Sequence, residues 1–573
     1  MDYSLKIGGE AGQGIQTIGD TLAKVFSRSG YHVFTHQDYE SRIRGGHNFF
    51  QIRFSDSPVM SSRNRIDILI ALDKESIVFH EKELSEYGQI IYDSSALKQK
   101  HEKEYFLDIP FVDLALNRGG SKIMANTVAV GVILGMLGME LDLLLGIIKD
   151  TFKKKGEEVI KANINSAIAG HDFAVKECKR CSFTVTPLAK SKMLISGVES
   201  IALGAIASGC KFYSAYPMTP STGIMNYLAG KEKEYGIIVE QAEDEIAAIN
   251  MALGASFAGV RAMTGTSGGG FALMEEGLSL AGMTETPVVI ALGQRPAPAT
   301  GLPTRTEQGD LLFALHAGHG EFPRVIFAPG TPREGFFLTN KAFDLAEKYQ
   351  IPVFVIFDQY LADSQWTFDG FDLSALKYID YRLRGDKFKN LSEYKRHVFT
   401  DTGVSPLGVP GDSKHLVVTD SDEHDEEGHI IEDAATRIKM VNKRLFKKLP
   451  FIKQEIDPPV LYGDNTPDIV LVGWGSTYGV MKEAIDKLSA KSIAMFHFSE
   501  IYPFPSTGKF DYLSLLNTAK LTICMENNAT GQFAQLMKAE TGYEFKAKIN
   551  KYNGRPFLLE ELIGELDAHT GRL

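Results

Sequence analysis

IIVEQAEDEIAAINMALGASFAG, from Ile237 to Gly259, is the stretch that decides the fold. Ile237-Ile238-Val239 is a short β-branched run of the kind that fills a buried strand. Past an acidic turn, Ala, Ile, Met and Leu recur at helical spacing. The stretch therefore predicts strand, turn, helix, with Glu245 in the first helical turn. Glu243, Asp244 and Glu245 crowd that turn, and Ala247, Ala248, Ala252, Gly254 and Ala255 give the helix a small-residue face that admits another backbone. Acids at a helix start are favoured by capping and by the macrodipole whatever their function. A carboxylate held against a tightly packed helix start can also do chemistry.

On either side, short β-branched runs near 211–215, 237–239, 261–265, 287–292, 324–327 and 353–357 alternate with helical stretches. That alternation predicts a parallel sheet covered on both faces, with ligands at the carboxyl ends of its strands. The chemically marked loops all follow predicted strands. They are Tyr216-Pro217-Met218-Thr219-Pro220-Ser221-Thr222, Thr264 to Gly270, Gln294-Arg295-Pro296, and the loop from Leu302 to Asp310, LPTRTEQGD.

Together these residues resemble the pyrimidine-binding domain of the 2-oxoacid:ferredoxin oxidoreductases, in the thiamine diphosphate superfamily. The E-x-A-A-x3-A-x-G pattern starting at Glu245 looks like that superfamily's signature for the glutamate that activates the cofactor's aminopyrimidine, with Glu240 and Glu243 as fallbacks in register. The resemblance implies that Thr219, flanked by two restricting prolines, contacts substrate. A 2-oxoacid also needs a cation for its carboxylate, and arginine binds carboxylate in bidentate fashion. Arg305 is favoured because its loop is the more specific resemblance, and Arg295 is a near equal; an ion pair with Glu307 or Asp310 is the alternative for either. Tyr216, Pro217 and Gly268 are expected to line the cofactor. The Thr264–Gly270 loop lacks the Gly-Lys-Ser/Thr ending of a nucleotide phosphate loop and is expected to be pocket wall.

The chain begins with a strand at Tyr3–Ile7, a glycine turn with Gly9, Gly12, Gln13 and Gly14, and a helix from about Thr17 to Ser29. This layout lets backbone N–H groups approach an anion, although its glycine spacing inverts the dinucleotide fingerprint. It fits either a ligand loop or a tight structural turn. Arg42 and Arg44 beside Gly45-Gly46 add a polar surface. Gly8 to His47 resembles the gamma domain of the same oxidoreductases, a separate subunit in many members and here expected to be fused ahead of the alpha domain. Strands are predicted at 66–72 and 88–93, mostly helix over Ala125–Lys149, and a helical end with a lysine-rich linker over 155–190. The Cys178–Cys181 pair there fits an inert linker pair, a metal half-site or a thiol switch.

Residues 366–463 change character, and their acidic patch at 420–429 reads as a solvated loop rather than a metal site, since it lacks EF-hand spacing. The basic run Lys439–Lys448 predicts a helix with a charged face, in a segment expected to shape a subunit interface. From Ile469 the chain again runs strand, glycine turn, helix, with Trp474-Gly475-Ser476-Thr477, Glu526-Asn527-Asn528 and Gly531-Gln532. It resembles a transketolase C-terminal domain, from which no catalysis is expected.

The expected fold is α/β with three Rossmann-like, parallel-sheet domains: a gamma-type domain over 1–185, a pyrimidine-binding domain over 190–365, and a transketolase C-terminal-like domain over 464–573, with 366–463 as insert. A net charge of −11 over 573 residues argues against general nucleic-acid binding. No apolar run of about 18 residues and no signal peptide is present, which makes the cytoplasm the expected address. No Gly-Asp-Gly occurs, nor a ferredoxin-like cysteine set. The resemblance therefore implies half of an active site: thiamine diphosphate (TPP) shared with a beta subunit that brings Mg²⁺ and a [4Fe–4S] cluster, with no metal held by this chain. It further implies 2-oxoacid oxidation, 2-oxoglutarate in particular, with coenzyme A and ferredoxin as co-substrates in an (αβ)2 assembly. A self-contained non-redox TPP transferase or decarboxylase, and a non-catalytic nucleotide-binding scaffold, are the competing classes.

Overall fold

Alternation of buried β-branched strands with amphipathic helices yields mixed α/β architecture built on three main sheets. The computed structural model describes residues 1–42, 45–178, 183–188, 190–488 and 492–570. By contact density the chain divides into two units, one of residues 1–195, 363–370 and 558–573, the other of 196–362 and 371–557.

The first unit holds an eight-stranded sheet in the order 106–108, 84–92, 66–71, 2–11, 45–55, 32–38, 365–368, 193–196. Its first half is parallel, as expected, with Leu5 opposite Ile68 and Ile70 opposite Ile91. Its second half is antiparallel, with Ile7 opposite Phe50 and Thr35 opposite Ile52. The reason is local: His32–Asp38 and Gly45–Ser55 are joined by a short connection, and only a long crossover would have made them parallel. The region from Ala125 to Lys149, predicted to be mostly helix, holds the helix Ala125–Met136 and most of the helix Asp142–Phe152. Instead of a linker, Glu157–Glu177 is a 21-residue helix. Among the described residues no single helix is long and apolar enough to cross a membrane. Arg44 and Cys181 lie outside the described residues.

In the second unit the expected parallel sheet is present. Its order is 500–502, 325–327, 352–358, 288–294, 261–267, 210–215, 238–241, and only 500–502 runs antiparallel to its neighbour. A five-stranded sheet, ordered 460–463, 493–498, 469–474, 521–526, 547–550, packs beside it. One apolar core serves both, bringing Ile290, Leu292 and Phe354 together with Val470, Trp474 and Phe496. Parallel strands covered on both faces are continuously apolar, and Val288–Gln294 is buried at every residue.

The basic run is helical, as its sequence predicts, and exposes Lys439 and Lys447, but three of its charges, on Lys443, Arg444 and Lys448, are buried rather than on an open face. Lys443 and Lys448 are buried on Glu285, whose carboxylate also takes His397 Nδ1 at 3.1 Å. Burial pushes the Lys443 ammonium down to about 7, and the paired lysines hold the Glu285 carboxyl well below its ordinary value against its own desolvation. A second buried acid, Glu347, binds Arg261 at 2.8 Å and also Arg382. The acidic patch is spent on local partners: Asp425 Oδ1 accepts from the Glu427 and His429 N–H groups, and Glu423 binds Arg437 and Arg444.

Candidate functional site

Four neighbouring parallel strands, 288–294, 261–267, 210–215 and 238–241, end on one edge of the seven-stranded sheet. The chain beyond each end carries the marked residues, so the topology brings them to a common edge.

Glu245 opens the helix Glu245–Phe257, but the capping is done by Asp244, whose Oδ1 accepts from the Ala247 N–H at 2.7 Å. The Glu245 carboxylate is thus not consumed by its helix. It is 3 % exposed, and its Oε1 has no hydrogen-bond partner among the described residues. Leaving a buried acceptor unmet costs about 1–3 kcal/mol, more for a charged group, so this oxygen is able to take a donor from a ligand. Glu240 and Glu243 are exposed.

The strand Arg261–Ser267 leads into Gly268-Gly269-Gly270, and two of these glycines abut buried acids. A Cβ on Gly270 would lie 2.3 Å from Glu245 Oε1 and 2.2 Å from Thr266 Oγ1; one on Gly268 would lie 2.6 Å from Asp310 Oδ1. Only residues without a side chain let backbone approach this closely. The triple glycine was the sequence signal for this contact; nothing in the sequence said which acids it met.

The Tyr216–Thr222 turn follows the strand Cys210–Ala215. Tyr216 is exposed, Pro217 and Thr219 are half-buried, and the Pro220 ring packs on Gly293. Arg295 Nη1 donates to the Thr219 carbonyl at 2.9 Å. Arg295 is thus tied to the turn, whereas Arg305 sits half-buried in the 302–310 loop with its stem against Gly554.

Two acids in that loop are weakened. Burial raises the Glu307 carboxyl to about 7, with the negative charge of Asp310 adding to the effect. Burial raises Asp310 to about 6, against the opposing pull of Arg295. Both shifts are upward, so the stability they contribute is full below the unfolded-chain values near 4 and is lost as pH rises through 6 to 7. Glu307→Gln should therefore melt with wild type at pH 4.5 and about 1–3 °C above it at pH 8, for roughly 1 kcal/mol after allowing for partial exposure. Differential scanning calorimetry at the two pH values checks this; a variant less stable at both contradicts it.

In the first unit, Gly12, Gly14 and Gly9 have different reasons to be glycine. Gly14 has φ +85° and no room for a Cβ, which would fall 1.9 Å from Asn126 Nδ2; Gly9 packs on Gln13 and Leu72; Gly12 has φ +92° and open space beside it. Gln13 Oε1 accepts from the Glu10 N–H at 2.8 Å, closing the turn. Beside Gly12 lies a cavity of about 900 Å³ lined by Gln13, Lys74, Asp93, Lys122 and Asn126. A second, of about 590 Å³, is lined by Gly14, Tyr39, Glu40, Arg42 and Asn48.

The comparisons agree with this architecture. Residues 203–443 match the family model described as pyruvate flavodoxin/ferredoxin oxidoreductase, thiamine diphosphate-binding, and residues 4–173 match that of pyruvate ferredoxin/flavodoxin oxidoreductase. A 2-oxoacid:ferredoxin oxidoreductase subunit alpha from Sulfolobus is 33% identical, over 98% of this chain and 96% of its own. A 2-oxoglutarate oxidoreductase subunit KorA from Mycobacterium tuberculosis is 27% identical, over 97% of this chain and 90% of its own. Among solved structures, a 2-oxoglutarate:ferredoxin oxidoreductase from Magnetococcus marinus, with 2-oxoglutarate, coenzyme A and succinyl-CoA bound, superposes with a TM-score of 0.89 at 31% identity, over 99% of both chains. The fold and the matched family model define an α/β protein with a thiamine diphosphate-binding domain. The chain belongs to the 2-oxoacid:ferredoxin oxidoreductases, as an alpha-type subunit.

Proposed function

We propose that this chain, with a beta subunit, oxidatively decarboxylates a 2-oxoacid, preferentially 2-oxoglutarate. Acid and coenzyme A give acyl-CoA, CO2, one proton and two electrons, which leave for ferredoxin. The observation that carries the proposal is the buried, unpartnered Oε1 of Glu245 against Gly270. It fits a cofactor whose ring nitrogen needs a carboxylic partner. Thiamine diphosphate supplies a nucleophilic carbon and an electron sink for the carboxylate's departure. Glu245 would hold a proton between its carboxylate and the cofactor's ring nitrogen, and its burial would limit exchange of that proton with solvent. The Thr219 hydroxyl is directed at the substrate oxo group, and Arg305 pairs with its carboxylate; Arg295 braces the Thr219 turn and is the second candidate cation. Tyr216, Pro217 and Gly268 wall the cofactor.

The chain carries no Gly-Asp-Gly and no cluster cysteine set, so diphosphate, Mg²⁺ and [4Fe–4S] belong to the partner. The exposed Ile246, Met251 and Phe257 on the Glu245 helix offer that partner an apolar face, in an (αβ)2 assembly. The first unit acts as a fused gamma-type domain. Its Gly9–Gly14 turn, with Lys74 and Lys122 in the adjoining cavity, is the proposed site for the anionic co-substrate.

The test is reconstitution. The chain alone should give no turnover with TPP, and the αβ complex should reduce ferredoxin with 2-oxoglutarate and coenzyme A, preferring it to pyruvate by about tenfold or more in kcat/KM. Turnover by the isolated chain would overturn the shared-site proposal.

A further inference from the structure

The loop carrying Arg305 is exposed at its tip, where Leu302 is 49% exposed, and locked at its base, where Thr306 and Gln308 are 3% and 1% exposed. The lock is built from the sheet at 460–550, whose glycine turn and Asn-Asn pair the chemistry above leaves unused. Every polar group of Gln308 is engaged there. Its Nε2 donates to the Trp474 carbonyl at 2.8 Å, and its Oε1 accepts from the Asn527 N–H at 2.9 Å. Its backbone N–H donates to the Asn527 carbonyl at 2.7 Å, and its carbonyl accepts from Asn528 Nδ2 at 3.1 Å. Gly475 must be glycine for this, because a Cβ there would lie 2.9 Å from Gln308 Nε2, and its φ is +57°.

Two further ties flank this one. Gln532 Nε2 donates to the Gly309 carbonyl at 2.6 Å, and the Thr306 N–H donates to the Gly554 carbonyl at 3.3 Å. Gly554, at φ +75°, is pressed against the Arg305 stem, where a Cβ would come within 3.2 Å of Arg305 Cβ. A long side chain aims a charge only as well as its root is held, and a displacement of about 1 Å at a reacting group costs up to about a hundredfold in rate. The lock holds the residues immediately after Arg305, and Gly554 limits where its stem can lie.

We infer that Gln308, through the strand ends at Trp474 and Asn527, is a positioning residue that holds Arg305 for the substrate carboxylate, with Gly554 as the stop for its stem. The inference rests on the role proposed above for Arg305. It gives the second sheet a part in substrate recognition, where the sequence suggested none.

The test uses the assembled αβ complex carrying Gln308→Met, which keeps length and loses both side-chain hydrogen bonds, and independently Gly554→Ala. Both should raise the 2-oxoacid KM about tenfold or more with kcat within about threefold, leaving the coenzyme A KM unchanged. Adding Arg305→Lys to Gln308→Met should cost less than about twofold further, since the two act through one contact. Amide hydrogen exchange over residues 303–309 should quicken in Gln308→Met while the strand 261–267 stays protected. A KM at the wild-type value in both variants, or effects that multiply, overturns the inference while leaving the functional reading intact. A wild-type complex inert towards 2-oxoacids removes the functional reading. The positioning inference, which rests on that reading, falls with it; in an active complex, unchanged protection at 303–309 in Gln308→Met defeats the positioning role.

Discussion

Glu245→Gln in the assembled complex is expected to lower 2-oxoacid oxidation by about a thousandfold, the scale of losing one positioned proton-transfer group, while assembly and melting temperature hold. Glutamine keeps the shape of the side chain, so the packing of a residue 3% exposed is undisturbed. Asp244, not Glu245, caps the helix through the Ala247 N–H, so the helix start loses nothing. What changes is the group at Oε1, the buried oxygen that has no hydrogen-bond partner among the described residues. An amide has no proton to share at that oxygen and no charge to favour a protonated ring nitrogen. Steady-state ferredoxin reduction, beside size-exclusion chromatography and a TPP titration, separates the outcomes. Turnover near wild type would move the role elsewhere. Loss of turnover together with loss of the αβ complex would make Glu245 a structural residue.

Much of this site was legible because its signals are local. The strand, acidic turn and helix at Ile237–Gly259 follow from periodicity and an N-cap, and the helix begins at Glu245 as the sequence predicts. The strands at 288–294 and 352–358 declared themselves as apolar runs between turn residues. What the sequence hid depends on partners far along the chain. Lys443 and Lys448 looked like a solvated face because lysine is seldom fully buried; the acid that draws them in is Glu285, 158 and 163 residues away. Gln308 looked like one polar residue in a loop, and its partners lie 166 to 220 residues on. The antiparallel half of the first sheet was missed for a different reason. The segment between its strands draws notice for its arginines and glycines, and by its length it is also the short connection that sets strand direction. The tie between Arg295 and the Thr219 carbonyl was equally beyond linear pattern, since the two lie 76 residues apart.

The second large effect is expected from a single methyl group. In Gly270→Ala the new Cβ would stand 2.2 Å from Thr266 Oγ1 and 2.3 Å from Glu245 Oε1, well inside contact distance. The backbone at Gly270 lies outside the left-handed region, so alanine costs nothing in conformation there and the conflict is purely one of space. Thr266 is fully buried in a strand, whereas Glu245 is rooted at a helix end with an oxygen bonded to nothing, so the carboxylate is the group that yields. Overpacking of this kind costs about 1–3 kcal/mol of stability, but moving a proton-sharing oxygen by about 1 Å costs far more in rate, on the order of a hundredfold or more. Gly269→Ala is the matched control, because its Cβ would meet only the Ala299 carbonyl, at 3.7 Å, and its kcat/KM should stay within about twofold of wild type. The arrangement also predicts a coupling. Added to Glu245→Gln, Gly270→Ala should slow the complex by less than about threefold, because the group it displaces has already lost its function. Equal kcat/KM for Gly269→Ala and Gly270→Ala, or a full further loss in the double variant, would break the link drawn between the glycine run and Glu245.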